Sequence, residues 1–351
     1  MTGKQPTTLY IIGNGFDLHH KLDTWYSTFG LFLRDEHSNI YDYFLKYFGF
    51  PDLNEDDPES LKDPLWSQFE ANLATLNIDE VLDEHAEYSA NPASEDFSDG
   101  DWDTIAFYVS QIRDDLTIKM LDLFKEFILK VEYPDESGLN ILNIDRNAIF
   151  FNFNYSKSLE HYYKIPQSQI LYIHNRAESN DKLILGHGMD PKSFDREEAK
   201  PPAGLSEEDL ERWTDVQEDA FDYSLERGRD ELIQYFSKSF KATSQLIQKN
   251  QSFFNSLKPI KKVYCLGHSL ADVDKEYFEE ILRKISNKVV WIVSYHNPNE
   301  KEVRRNRLNE LGIKNRQIVL VRMNELLPKF WNKLKLNLRI AFATTRRTIG
   351  I

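Results

Sequence analysis

The chain of 351 residues is 41% hydrophobic and 28% charged, proportions typical of a soluble globular protein. No apolar run reaches the roughly 18 residues that a membrane helix needs, and the first residues lack the charged and apolar regions of a signal peptide. The single cysteine, Cys265, excludes an internal disulfide framework and a structural zinc site built on several thiolates. We therefore expect a cytoplasmic protein with no membrane partner.

The net charge of −14 argues against a general affinity for nucleic acid, because neutralising phosphates requires a basic surface. Positive charge gathers late in the chain, at 301–307 and again at Arg346 and Arg347. We interpret these residues as a solvated helix face and a terminal tail rather than as a nucleic-acid site.

The predicted elements begin with a strand at 8–12, which is followed by a long, mainly helical region. Within this region, 54–63 and 87–103 are acidic and contain proline or glycine, which predicts loops. Residues 103–131 repeat apolar side chains at helical spacing, which predicts a long helix.

Further strands are predicted at 148–153, 169–173 and 182–185. Pro201 and Pro202 then lead into a second helical block at 206–257, which begins with a serine and two glutamates, a typical helix start. The last predicted strands are 262–266, 288–294 and 317–321. Most of these runs are continuously apolar, as in strands that are buried on both faces of a parallel sheet.

This pattern predicts an α/β, Rossmann-like fold with a mainly parallel sheet flanked by helices. The nucleotide-binding core would comprise 1–30, 145–200 and 258–335. Helical insertions would occupy 31–144 and 201–257, and 336–351 would form a C-terminal tail.

Unusual polar residues follow the ends of the predicted strands: Asn14, Asp17, Asn154, His174, His187 and His268. In open parallel sheets, ligands bind just beyond the carboxyl ends of the strands. We therefore expect these side chains to belong to a binding or catalytic site.

Gly13, Asn14 and Gly15 stand where the first strand turns into a helix. Glycines at this point let the backbone approach a ligand closely, and the helix start offers N–H groups to a phosphate. The full dinucleotide fingerprint GxGxxG is broken by Leu18. A phosphate-binding loop and a plain strand-to-helix turn therefore both remain open.

Asp17, His19 and His20 are close enough in sequence to suggest a metal site. On a helix, however, adjacent histidines point about 100° apart and do not easily face one ion, so we expect no metal here. Asp17 would instead bind a ribose hydroxyl or stabilise the start of the helix.

Asn154 either binds a sugar hydroxyl or water, or caps the helix that begins near Lys157. His174 follows the next strand and is a candidate general base, although a lone histidine is more often structural. His187, which lies between two glycines, is a second candidate.

The run after the strand at 262–266 again places a glycine, Gly267, before a polar loop. Ser269 is suited to donating a hydrogen bond to a phosphate or a ribose. Asp272 and Asp274 would bind a metal or cap the helix that begins near Lys275, and capping is the expected role for at least one of them.

Taken together, these motifs resemble the AbiH family of phage abortive-infection proteins. The resemblance spans residue 8 to about residue 280, with the motifs in the family's order: GNGFDLHHKLDTWYSTF, WSQFE, FNFNYSKSLE, YIHN, LGHG and GHSLADVDKEYF. The same order of a glycine loop, a strand ending in asparagine, a histidine and a Gly-x-Ser-Leu loop is more distantly similar to sirtuin-like NAD-binding proteins.

The resemblance implies a role in phage defence, with NAD as the substrate and hydrolysis at the bond between nicotinamide and ribose. Asn154 would orient water or the nicotinamide ribose, and His174 or His187 would be the general base. The set implied to bind the dinucleotide is Gly13, Asn14, Gly15, Asp17, Gly267, His268, Ser269 and Asp274.

The chain departs from the sirtuin pattern in two ways. It lacks the four zinc-binding cysteines, which argues against protein deacylation, and His174 is followed by Asn175 where the pattern has glycine.

Two other functions stay open. One is a metal-dependent nuclease or nucleotide hydrolase that uses Asp17, Asp272, Asp274 and histidines. The other is a module that senses NAD or ADP-ribose without turnover and binds a partner protein through its helical insertions. The sequence also leaves open a homo-oligomer or a defence partner protein.

Overall fold

The computed structural model of the protein describes residues 5–196, 200–219 and 221–328. Its six strands form one sheet in the order β3-β2-β1-β4-β5-β6, and every neighbouring pair is parallel. The strands are β1 (Thr8–Ile12), β2 (Ile149–Asn152), β3 (Ile170–Tyr172), β4 (Lys262–Leu266), β5 (Val290–Ser294) and β6 (Ile318–Val321). This architecture confirms the predicted Rossmann-like α/β fold.

The predicted strand at 182–185 does not form, and that prediction was wrong. In this segment the Ile184 N–H donates to the carbonyl oxygen of His174 at 3.0 Å, and 182–185 joins no strand ladder. An apolar run without a neighbouring strand to pair with stays irregular, even when its composition suits a sheet.

The described ranges contain fifteen α-helices. They are α1 (Asn14–His19), α2 (Tyr26–Glu36), α3 (Ser38–Phe48), α4 (Pro64–Ser67), α5 (Phe69–Asn72), α6 (Ile78–His85), α7 (Thr104–Asp114), α8 (Met120–Lys130), α9 (Ser158–Tyr163), α10 (Glu207–Asp219), α11 (Tyr223–Lys238), α12 (Thr243–Lys249), α13 (Gln251–Asn255), α14 (Lys275–Lys284) and α15 (Glu300–Glu310). A short π-helical turn, Asp115–Lys119, joins α7 to α8, so the helix predicted at 103–131 is nearly continuous. None of the described helices is both long and apolar enough to cross a membrane.

Strand residues alternate between two buried clusters because successive side chains point to opposite faces. Leu9 and Ile11 of β1 belong to one cluster, which includes residues of α12 to α15. Tyr10 and Ile12 belong to the other, which includes residues of α1 and α9. Both faces of the sheet are therefore covered, which explains the continuously apolar strand sequences.

The described chain divides into two compact units. The first contains the sheet and takes the described parts of Met1–Phe29, Phe124–Leu185 and Ala242–Ile351; the second takes Gly30–Leu123 and Gly186–Lys241. Both predicted insertions thus contribute to the second unit. The predicted tail at 336–351, with Arg346 and Arg347, lies outside the described residues.

The unit bounds differ from the predicted domain bounds, and packing gives the reason. Ile247 and Phe254, in the predicted second insertion, pack in the cluster on one face of the sheet. Leu142, at the end of the predicted first insertion, packs in the cluster on the other face. Burial against the sheet assigns these segments to the first unit, whereas their helical patterns alone suggested insertions.

The second unit has its own aromatic core. Phe44, Phe50, Trp66 and Phe69 are buried, and their rings contact one another. Lys241 is also fully buried here, and its ammonium pairs with the Glu70 carboxylate at 2.6 Å. The WSQFE motif therefore supplies both core aromatics and a partner for a buried charge.

Candidate functional site

The strand order places the loops that follow β1 and β4 side by side. After β1 the chain forms β2 and β3 on one side of β1, and it then returns to form β4, β5 and β6 on the other side. In open α/β sheets this reversal creates the crevice where ligands bind. The predicted site residues of the first unit follow β1, β2, β3 and β4 at this edge.

The two glycine loops pack directly against each other. The Gly15 N–H donates to the Gly267 carbonyl oxygen at 2.8 Å, and the Gly13 N–H donates to the Leu266 carbonyl oxygen at 3.0 Å. A Cβ on Gly13 would lie 2.6 Å from the His268 Cα, and one on Gly15 would lie 2.9 Å from the Gly267 Cα. This contact between loops by itself requires the glycines, so their predicted role in binding phosphate stays a prediction.

Asn14 lies within the first glycine loop and is paired inside the chain. Its Nδ2 donates to the Thr24 carbonyl oxygen at 2.8 Å, and its Oδ1 accepts from the Thr24 hydroxyl at 2.6 Å. Both ends of the amide therefore hold the segment that follows α1.

Asp17 is buried, with 1% of its surface exposed. One carboxylate oxygen accepts from the Ser156 hydroxyl at 2.5 Å, and the other accepts from the Ser158 hydroxyl at 2.6 Å. Burial raises the pKa of Asp17 from 3.8 to about 6, although the hydroxyls of Ser156 and Ser158 and the nearby amide of Asn154 oppose this rise. Asp17 thus links α1 to the loop that carries Asn154.

His19 and His20 make separate structural contacts. His19 Nε2 lies 2.9 Å from the Asn140 carbonyl oxygen. His20 Nδ1 lies 2.7 Å from the Phe16 carbonyl oxygen and Nε2 lies 2.6 Å from the Tyr163 hydroxyl, so a neutral ring donates through Nδ1 and accepts through Nε2. Burial lowers the pKa of His20 to about 4, which keeps the ring neutral.

Asn154 is buried just beyond the end of β2, with 5% of its surface exposed. Its backbone N–H donates to Asn152 Oδ1 at 3.0 Å. Its side-chain Nδ2 is close enough to Asp17 to lower the pKa of that carboxyl group, but no acceptor in the described ranges completes a hydrogen bond of standard geometry to it. The N-cap of α9 is Lys157, so Asn154 does not cap that helix.

His174 lies at the end of β3 and is 2% exposed. Its ring centre is 5.5 Å from that of Phe153 and 6.0 Å from those of Tyr155 and Tyr277. Asn175 follows with a φ of 64°, a left-handed conformation that glycine and asparagine adopt most readily. The residue after His174 therefore adopts a conformation that glycine would also accept.

His268 and Asp274, both predicted to bind the dinucleotide, pair with each other. His268 Nδ1 accepts from the Leu270 N–H at 2.9 Å, so Nε2 carries the proton and faces the Asp274 carboxylate at 3.3 Å. The Asp274 side chain makes no capping bond to α14. The Phe153 ring centre lies 4.3 Å from that of His268, so one aromatic ring contacts both His268 and His174.

The rest of the β4 loop contacts α15. The guanidinium of Arg304 donates to the Ser269 carbonyl oxygen, and Arg307 pairs with Asp272 at 2.8 Å. Asp274 stands at the N-cap position of α14, as expected for one of the two aspartates, although its side chain makes no capping bond, and Asp272 pairs with Arg307 instead. Part of the predicted solvated basic face instead holds this loop.

His187 belongs to the second unit and not to the sheet unit. It is fully buried, and its ring contacts those of Phe194, Phe236 and Phe240. Burial lowers its pKa. A Cβ on the preceding Gly186 would lie 2.0 Å from the Ser239 carbonyl oxygen, so this turn packs tightly.

The described residues contain no group of three or more histidine, cysteine, aspartate or glutamate side chains arranged to hold a metal ion. Of the two buried carboxylates near the strand ends, Asp17 binds two serine hydroxyls and Asp274 faces a single histidine, His268.

The family model described as "Bacteriophage abortive infection AbiH" matches residues 9–295. The chain belongs to the AbiH family. The match runs from β1 to just beyond β5 and includes every predicted site residue, and the family gives the chain a role in phage abortive infection. No curated protein and no solved structure is significantly similar to this AbiH protein.

Sequence reasoning missed several residues of this candidate site. Ser156 and Ser158 hold Asp17, and Asn152 contacts the backbone of Asn154. The signal was present in FNFNYSKS, where two amides and two hydroxyls alternate with other residues from the end of β2 onward. Their partner Asp17 is more than a hundred residues away, so no local pattern connects them.

Proposed function

We propose that this AbiH protein acts in abortive infection by hydrolysing NAD between nicotinamide and ribose, which yields nicotinamide and ADP-ribose. One observation carries the proposal. Asn154 and His174 follow the neighbouring strands β2 and β3 at the edge of the sheet where ligands bind, and the ring of Phe153, the residue before Asn154, lies 5.5 Å from the His174 ring. The buried amide of Asn154 has a donor for which the described residues offer no completed bond.

The proposed reaction breaks the bond between ribose C1′ and the nicotinamide nitrogen. The electron pair of that bond leaves with nicotinamide, which becomes neutral, and the oxygen of a water molecule bonds to C1′. Asn154 orients the water or the ribose, and the His174 imidazole accepts the proton that the water loses. The reaction consumes one water molecule and releases one proton.

Asp17 takes a different part in this proposal from the one its sequence position suggested. Both of its oxygens accept serine hydroxyls, and its carboxyl group is almost completely buried. We assign it to holding the Asn154 loop rather than to stabilising the positive charge on the ribose.

The decisive experiment incubates wild type and Asn154→Ala with NAD and separates the products by chromatography. We expect the wild type to release nicotinamide and ADP-ribose. The rate of release by Asn154→Ala should be at least about 100-fold lower. Asn250→Ala is a matched control, because the Asn250 amide donates to the Leu246 carbonyl oxygen away from the sheet edge. NAD that stays intact at high wild-type concentration, under conditions in which the protein is toxic to cells, rejects the proposal.

A further inference from the structure

Asn152 is an amide in a position that packing alone would give to an apolar residue. It ends the run Ile149–Asn152, is fully buried, and lies in register between Ile12 of β1 and Tyr172 of β3. The three preceding residues of the strand are apolar. The side chain therefore needs a reason beyond filling space.

The contacts of Asn152 connect the two candidate catalytic residues. Its side-chain Oδ1 accepts from the Asn154 N–H at 3.0 Å, and its backbone carbonyl oxygen accepts from the Ile173 N–H at 3.1 Å. Ile173 directly precedes His174. One residue thus holds the backbone on which Asn154 is carried and the backbone that leads to His174.

The other end of the Asn152 amide is left without a hydrogen bond. Because a backbone N–H only donates, the side-chain atom of Asn152 that faces the Asn154 N–H must be the amide oxygen. The other end of the amide is then its NH2 group. This Nδ2 is buried and has no hydrogen-bond partner among the residues that the structure describes. An unpaired buried donor costs folding free energy, whereas an apolar side chain of similar size avoids the cost.

From this combination we propose that Asn152 is a positioning residue. Its side-chain oxygen serves to fix the backbone of Asn154 rather than to stabilise the fold. The inference rests on the proposed function only in placing Asn154 in the working site. It assigns no contact with substrate to Asn152. It also predicts that replacing the amide lowers activity with little change in stability.

The test compares Asn152→Leu, Asn152→Thr and the control Asn250→Leu with wild type. Leucine removes the unpaired donor but also the acceptor of the Asn154 N–H, whereas the threonine hydroxyl can still accept from the N–H two residues on. Asn250→Leu removes an amide that is already paired within the first unit. The measurements are the thermal unfolding midpoint, NAD cleavage, and protection of cells from phage in a plaque assay.

We expect Asn152→Leu to unfold close to the wild-type temperature, because it removes one unpaired buried donor and leaves another, the Asn154 N–H, while kcat and phage protection fall at least tenfold and KM changes little. Asn152→Thr should recover a substantial part of both activities. Asn250→Leu should show the reverse pattern, with a lower unfolding temperature and full activity.

Three results overturn the inference: a fully active Asn152→Leu, an Asn152→Leu less stable than Asn250→Leu, or an Asn152→Thr as inactive as Asn152→Leu. Failure of the proposed function has a different signature, namely no NAD cleavage by wild type. The unfolding and plaque measurements then still decide the role of Asn152.

Discussion

At the scale of single residues, burial decides what each polar group does. Asp17 and His20 belong to the same short segment, yet burial raises the pKa of Asp17 to about 6 and lowers that of His20 to about 4. Removal from water disfavours the charged form in both cases, and the charged form is the carboxylate for one and the imidazolium for the other. Both groups therefore depend on neutral hydrogen-bond partners.

The raised pKa of Asp17 predicts a stability change with pH. Because the folded state binds this proton more tightly than the unfolded state, the contribution of Asp17 is greatest below pH 3.8 and is lost as the pH rises through about 6. Asp17→Asn has no such proton. Between pH 5 and 7.5, the wild type should lose roughly 1 kcal/mol of unfolding free energy relative to the variant.

Urea unfolding of both proteins across this pH range measures the difference. A constant difference would show that the proton on Asp17 is not bound more tightly in the folded state. The expected slope has the opposite sign from that of an exposed salt-bridged aspartate, whose contribution is lost as the pH falls.

At the scale of elements, the carboxyl edge of the sheet depends on loops that touch through their backbones. Gly267 has a φ of 71°, and a Cβ there would lie 2.1 Å from the Phe16 nitrogen. Gly267→Ala therefore combines a disfavoured backbone conformation with a collision against α1. A loop contact of this kind tolerates no side chain.

Gly312→Ala separates these two effects. Gly312 has a φ of 85°, but nothing lies within 4 Å of the Cβ that alanine would add. We expect Gly312→Ala to cost about 1–2 kcal/mol of unfolding free energy, the cost of the left-handed conformation. Gly267→Ala should cost at least about 2 kcal/mol more, because the loops must also move apart. Equal losses in urea unfolding would show that the loops yield freely.

At the scale of the whole molecule, the net charge and the candidate site together predict which substrates the protein binds. A net charge of −14 disfavours binding to nucleic acid at physiological salt. In an electrophoretic shift assay at roughly 150 mM salt, we expect no complex with double-stranded DNA at micromolar protein. NAD cleavage should continue in EDTA, whereas DNA cleavage that EDTA abolishes would support a metal-dependent nuclease instead.

The sequence alone was enough for the architecture. Apolar runs such as VVWIVS predicted strands that are buried on both faces, and six parallel strands formed. It also predicted a site at the strand ends, because parallel strands bring their carboxyl ends to one edge whatever their order. Six of the seven predicted strands formed, whereas the run at 182–185 did not, because it has no neighbouring strand to pair with.

The opening GNGFD of the sequence shows what remained for the tertiary structure to decide. Gly13 and Gly15 contact the loop at Gly267, and Asp17 binds Ser156 and Ser158. The pairing of His268 with Asp274 and the assignment of His187 to the second unit were equally hidden. Most of these contacts join residues that are distant in the chain. The contact between His268 and Asp274 instead depends on a loop that folds back on itself. Such partners are chosen by packing, and only the folded chain specifies them.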